Sequence, residues 1–269
     1  MKRKKIVSIF FLILYFFNPF SFSIAQIYNE DYSYDQRVSL YKNNKVWMVY
    51  GWTFTYTNGV QEMKGRKTSF ERFDRQGNRT EEINYDLKGS VIYSCEYLFD
   101  QYGREVKKVG GSGEEVIYEK WNYMFLDSIN QVQRRSEYKK GKDQRWIYSY
   151  DKNHNISEES YYDLNGTLTS KKAYAYDERQ KLIEKNEYDP YGNIYQRWVY
   201  EYDDKGNNTE MKHYHSNGQL YRTYQMRYDK SGNMKSRFEF DRDENIVQLT
   251  VFIYQFYEGL HAPRALGNK

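Results

Sequence analysis

The sequence predicts an all-β protein: an elongated antiparallel β-meander of tandem hairpin repeats with a 26-residue period and Asp-x-x-Gly turns, free to curl into a spiral or a barrel-like sheet. Three observations carry that expectation. An aromatic residue followed by Asp recurs through most of the chain, Gly stands four residues after most of these aromatics, and the runs between them are about eight residues long. Runs of that length suit hairpin-connected strands and leave no room for crossover helices.

The aromatic anchors are Phe73, Tyr85, Phe99, Tyr150, Tyr162, Tyr176, Tyr188, Tyr202, Tyr214, Tyr228 and Phe240, and all but Tyr214 precede an Asp. From Tyr150 onward their spacing alternates between 12 and 14, so each 26-residue unit holds two anchors. Gly77, Gly89, Gly103, Gly166, Gly192, Gly206, Gly218 and Gly232 follow, often with Asn next, as at Asn193, Asn207 and Asn233. Asp at the first turn position accepts hydrogen bonds from the turn's backbone, and Gly supplies the left-handed residue that closes a type I turn with a bulge. Gly110-Gly111-Ser112-Gly113 falls where an anchor is due and reads as a widened turn.

Strand alternation then sorts the faces. One face reads Trp146, Tyr148, Tyr150; Lys172, Tyr174, Tyr176; Trp198, Tyr200, Tyr202; and Tyr224, Met226, Tyr228. The other reads Lys171, Ala173, Ala175 and Arg197, Val199, Glu201, small or solvated, until Val247, Leu249, Val251 and Ile253 make it apolar in the last strand. With bulged turns, Tyr148 is expected across from Glu158, Tyr174 from Glu184, Tyr200 from Glu210 and Trp198 from Lys212. Such a ladder reads in two ways: as the cross-strand pairing that builds the sheet, or as a groove in which aromatic platforms beside carboxylates hold a sugar. The candidate ligand-binding residues are therefore Trp146, Tyr148, Tyr174, Trp198, Tyr200, Tyr224, Glu158, Glu184 and Glu210.

Composition narrows the class. Lys plus Arg number 41 against 37 acids, but Lys2, Arg3, Lys4 and Lys5 account for the whole excess, so residues 26–269 are neutral and a nucleic-acid partner is not expected. Residues 1–25 read as a signal peptide: a cationic start, the apolar run Ile6 to Phe17, and Ser23 and Ala25 ahead of a cut before Gln26. No cysteine stands at that cut, so a lipoprotein is not expected; the destination is the periplasm, the cell surface or the medium, with no membrane span after cleavage. Aromatics make up 19% of the chain, while Leu, Ile, Val and Phe together supply only 43 of the 244 residues after the signal, so Tyr and Trp must build the core. A lipid-facing apolar band is missing and a membrane barrel is not expected. Residues 26–60, with Trp47, Tyr50, Trp52 and the Asn58-Gly59 turn, read as an N-terminal β cap, 61–257 as the repeat array and 258–269 as a tail.

Tyr202-Asp203-Asp204-Lys205-Gly206-Asn207, with its relatives at Tyr188–Asn193 and Tyr228–Asn233, resembles the YD repeats of RHS/YD-repeat proteins and is similar to MORN-like hairpin repeats of exported bacterial proteins. The resemblance spans Phe73 to Asp241 and implies a spiralling β-sheet that encloses toxins or serves as a surface or sugar-binding protein. A 12-residue tail cannot supply an enclosed toxin domain, which leaves binding or structural roles.

No catalytic constellation is legible, and neither enzymatic activity nor a cofactor is expected. The aspartates are used by turns, the glutamates recur as a stripe that singles out none, and Cys95 has no nearby histidine. His213 and His215 could share a strand face as metal ligands, but His215 takes the place of a turn Asp. The expected function is a non-catalytic exported repeat protein binding a glycan, a wall polymer or a protein along the aromatic face. The alternative is a structural or antitoxin/immunity-type envelope protein with a toxin or envelope partner. An open aromatic face would also permit self-association.

Overall fold

The computed structural model describes residues 34–257 apart from 63, 102–104, 113–114, 126–130, 138–142 and 164, and gives the backbone alone in 34–36 and in the described parts of 115–144. The expected signal peptide and tail lie outside the described residues. A helix, α1 (Tyr34–Asn43), precedes β1 (Val46–Thr57) and the short β2 (Val60–Gln61). The array follows as β3 (Arg66–Phe73), β4 (Arg79–Tyr85), β5 (Val91–Phe99), β6 (Glu105–Ser112), β7 (Glu115–Phe125), β8 (Gln131–Glu137), β9 (Asp143–Tyr150) and β10 (Ile156–Tyr162). It continues as β11 (Leu168–Tyr176), β12 (Leu182–Tyr188), β13 (Ile194–Tyr202), β14 (Asn208–His215), β15 (Leu220–Tyr228), β16 (Met234–Phe240) and β17 (Ile246–Phe256).

From β3 to β17 each strand pairs antiparallel with the next, the meander the repeat predicts. Its turns work as the sequence chemistry requires. In the β13–β14 turn, Gly206 N donates to Asp203 O at 2.9 Å, Asn207 N donates to Asp203 Oδ1 at 2.8 Å, and Asn207 Nδ2 donates to Asp203 Oδ2 at 2.8 Å. This clamp explains both the Asp and the Asn after the Gly. His154, Gln180 and Glu244 adopt the same left-handed conformation, with φ of 66°, 61° and 62°, where other repeats have glycine.

The two anchors of each unit do different work. Tyr176, Tyr202, Tyr228 and Tyr254 donate their hydroxyls to the carbonyls of Ile156, Leu182, Asn208 and Met234, each 20 residues earlier, at 2.7–2.9 Å. Each ties a hairpin to the start of the preceding strand. Tyr188 and Tyr214 instead lie under cations, Lys171 Nζ at 4.9 Å and the Arg197 guanidinium at 5.7 Å from their ring centroids.

The structure departs from the expected register and from one expected turn. Tyr202 pairs with Asn208, but the next pair is Glu201 with Glu210, so Thr209 is an extra residue in β14. The same bulge follows the first pair of the β9–β10 and β11–β12 hairpins. The expected pairs Tyr148–Glu158, Tyr174–Glu184, Tyr200–Glu210 and Trp198–Lys212 are therefore all off by one. Tyr148 faces Glu159, Tyr174 faces Lys185, Tyr200 faces Met211 and Trp198 faces His213. Likewise, Gly110 and Gly111 are not in a turn but in β6, against Cys95 and Ser94. A Cβ on Gly110 would stand 2.0 Å from Ser94 O, so the close backbone accounts for this glycine.

The described part of the N-terminal region holds a helix as well as the expected strand. β1 pairs with β17 on one side and with β3 on the other, so it occupies both ends of the meander. Asn58 and Gly59, with φ of 48° and 74°, form the expected two-residue hairpin turn to β2. α1 lies across the turns at the same end. Asn44 Nδ2 donates to Ser231 O and Asn233 Oδ1, and a Cβ on Gly77 would stand 2.2 Å from Val38 O. Tyr41 packs edge-on against Phe73 at 4.7 Å, within a cluster that includes Val46 and Val49.

Candidate functional site

Because directly paired residues share a face, the register fixes what surrounds the predicted aromatics. Trp146, Tyr148, Tyr174, Trp198, Tyr200 and Tyr224 share one face, as the alternation predicts. Glu158, Glu184 and Glu210 lie on the opposite face, since their partners are Ala173, Val199 and Glu201, each the immediate neighbour of an aromatic-face residue. There they pair with cations: Glu158 with Lys171 at 3.3 Å, Glu184 with Arg197 at 2.7 Å, Glu210 with Lys212 at 2.5 Å. They are parts of a charged surface and do not join the aromatic groove.

The groups that do share the aromatic face form transverse rows. One row runs Tyr148, Glu159, Lys172, Glu187 across β9 to β12, with charges of alternating sign. The Tyr174 hydroxyl donates to Glu159 Oε2 at 3.1 Å and the Tyr195 hydroxyl to Glu187 Oε2 at 2.8 Å. Burial acts to raise the Glu187 pKa, but Lys185, 3.2 Å away, Lys172 and the Tyr195 hydroxyl outweigh it and hold the carboxyl below its ordinary value. A second row runs Tyr174, Lys185, Trp198, His213, Arg222. Trp198 and His213 stack at 3.7 Å with 9° between their planes, and Lys185 Nζ stands 5.1 Å from the Trp198 ring.

Burial divides this face. Trp198, Tyr200, Met211, Tyr224, Met226 and Met234 are buried together, each large side chain contributing about 1.5–3 kcal/mol by leaving water. The predicted contacts Trp198, Tyr200 and Tyr224 thus build a core. Trp146, Tyr148 and Tyr174 remain half-buried, and Trp146 meets Tyr161 at 4.6 Å between ring centroids.

A separate polar cluster lies where α1 meets β3 to β5. Arg37 Nη1 and Arg79 Nη1 approach Glu71 Oε1 at 3.4 and 3.1 Å, and Arg79 reaches Glu82 Oε2 at 2.8 Å. The Tyr97 hydroxyl donates to the same Glu82 oxygen at 2.8 Å, and burial raises its pKa far above the ordinary value. Breaking a buried pair of this kind leaves an uncompensated charge, so the cluster ties the helix to the sheet.

Sequence reasoning missed Glu159, Lys185 and Glu187 because the bulges invert which residues of the even strands face the aromatics, whereas Arg222 shares the face of Tyr224 by alternation within β15. Ser and Thr at bulge positions are a usable signal: Thr80, Thr169 and Thr209 each donate a hydroxyl to a carbonyl of the facing strand.

No family model matches the chain, and no curated protein matches it. Among solved structures it is similar to a porin-like protein from Bacteroides uniformis, at 9% identity and a TM-score of 0.32, over 79% of this chain and 97% of that one. A DUF1329 family protein from Desulfovibrio piger matches at 11% identity and a TM-score of 0.34, over 84% and 92%. A LolA superfamily protein from Nitrosomonas europaea matches at 8% identity and a TM-score of 0.19, over 81% and 90%. Among the described residues no helix is long and apolar enough to cross a membrane.

Proposed function

We propose that the chain is an exported, non-catalytic repeat protein of the cell envelope that binds a glycan or wall polymer along the half-buried stretch of its aromatic face. The observation that carries this reading is the wall formed by Trp146, Tyr148, Tyr161 and Tyr174, whose rings stay half-buried beside a buried core. Aromatic rings with adjoining hydroxyls and carboxylates match the alternating apolar and hydroxylated faces of a sugar. A glycan array with purified residues 26–269 tests it. Trp146→Ala should weaken binding at least tenfold, as for a buried aromatic anchor, with the circular dichroism spectrum unchanged. Unaltered binding, or loss of the fold in proportion, would count against the reading.

A second reading, a structural or immunity-type protein with a protein partner, is favoured by the opposite face. There Phe238, Leu249 and Phe54 form one cross-strand row and Ile253, Tyr50 and Phe70 another, apolar where β10 to β14 are charged. Co-purification of a single protein from envelope extract, lost in Trp52→Lys, would favour it.

A further inference from the structure

The row Lys185, Trp198, His213, Arg222 sets two stacked rings between two cations. Trp198 and His213 are 5% and 6% exposed, and Trp198 Nε1 and His213 Nε2 have no hydrogen-bond partner among the described residues. A buried polar atom left in that condition costs on the order of a lost hydrogen bond. Exposure rises from Trp198 and His213 toward the β12–β13 and β14–β15 turns, where Ile194 and His215 are exposed. Tyr195 and Tyr221, 26 residues apart, are the extra residues of the two bulges there, the device by which a strand re-aims a side chain. Tyr221 meets His213 edge-on at 5.3 Å and His215 at 4.5 Å. Arg222 is the reachable cation: its Nε and Nη1 are held by Glu239 at 2.9 Å and by the Tyr221 carbonyl at 3.0 Å, and its side chain is 23% exposed.

We propose that this end of the aromatic face is a subsite for an acidic sugar, its ring against Tyr195 and Tyr221 and its carboxylate on Arg222, with Lys185 behind supplying a second positive charge. The inference rests on the glycan reading above and narrows it to uronic-acid-type ligands. The local field agrees. Burial first, then the charges of His215, Lys185 and Arg222, pushes His213 down to about 3, so it is neutral at ordinary pH and no cation opposes Arg222 from that ring. Glu239 balances Arg222 from β16, the side away from His213, and Glu187, nearer the β12–β13 turn, is occupied by Lys185 at 3.2 Å and by the Tyr195 hydroxyl at 2.8 Å.

The test titrates the full chain from residue 26 with an oligogalacturonate and with a neutral glucan oligomer of equal length, by calorimetry. The acidic oligomer should bind about tenfold or more tightly, the usual margin for a charge-assisted hydrogen bond, and Arg222→Gln should abolish that preference while leaving the neutral oligomer unchanged. Lys185→Gln, which removes the second positive charge and keeps a polar side chain beside Glu187, should reduce the preference severalfold and covers the case in which Arg222→Gln does not fold. Equal binding of both oligomers, or a preference that survives both substitutions, overturns the subsite and leaves the glycan reading standing. Binding of neither oligomer overturns both.

Discussion

Replacing Tyr202 by Phe removes one hydroxyl and nothing else from the ring that closes the β13–β14 hairpin. The group lost donates to Leu182 O at 2.8 Å from a half-buried position. A neutral hydrogen bond of this kind contributes about 1 kcal/mol net, which for a domain of this size lowers Tm by about 2–4 °C. Tyr176 and Tyr228 make the same bond two strands away on either side, about 10 Å distant and far enough to act independently. The triple variant should therefore lose about 3 kcal/mol. Tyr188→Phe and Tyr214→Phe are the controls. Their rings sit under Lys171 and Arg197, an attraction to the ring face that Phe retains, and the change should stay within about 0.5 kcal/mol. Urea unfolding followed by tryptophan fluorescence gives the midpoints. Equal losses for Tyr188→Phe and Tyr202→Phe would refute the division of labour between the two anchors, as would an unchanged midpoint for Tyr202→Phe.

Two further outcomes follow from the turns. Backbone N–H groups, first that of Ser90, hold Asp86 below the ordinary carboxylate range, and the Asn193 side chain followed by backbone N–H groups does the same for Asp189. A folded-state pKa below the unfolded one means that the stabilisation is complete above about pH 4 and is lost as pH falls through the lower folded values; thermal melts should be level from pH 7 to about 5 and drop toward pH 2. Gly77→Ala should destabilise by more than Gly89→Ala. Both glycines have positive φ, 86° and 91°, but only at Gly77 does the added carbon meet backbone, that of α1, so the cost should exceed the about 1 kcal/mol expected from φ alone. A calorimetric ranking in the reverse order would contradict the docking of α1.

Much of the architecture was legible because the repeat states it many times over: a turn chemistry of Asp, Gly and Asn is specified locally, and alternation within a strand needs no knowledge of its neighbour. The aromatic face was correctly read on the odd strands for that reason. On the even strands the same reasoning failed at a single physical step, the extra residue beside each first pair, which exchanges Glu158 for Glu159 and Glu184 for Lys185 opposite the tyrosines. Nothing in the identity of Ile183 distinguishes it as a bulge residue, whereas Thr209 offers a hydroxyl to Glu201 O and so leaves a trace. α1 escaped notice because its ten residues carry no apolar periodicity and are held by Arg37 and Tyr41 reaching into partners remote in sequence.

The placement of β1 has a kinetic consequence. Every neighbouring pair from β3 to β17 is joined by a short connection, so the meander can zip up hairpin by hairpin with little loop entropy at each step. β1 is the exception: Thr53 meets Thr250 across 197 residues of chain. Contacts of such separation are the slow ones in folding. The N-terminal strand, first to be synthesised, must therefore wait with one edge unpaired until the last strand is complete. Truncation within β17 should accordingly expose that edge and yield chains that aggregate, long before any of the repeats themselves is lost.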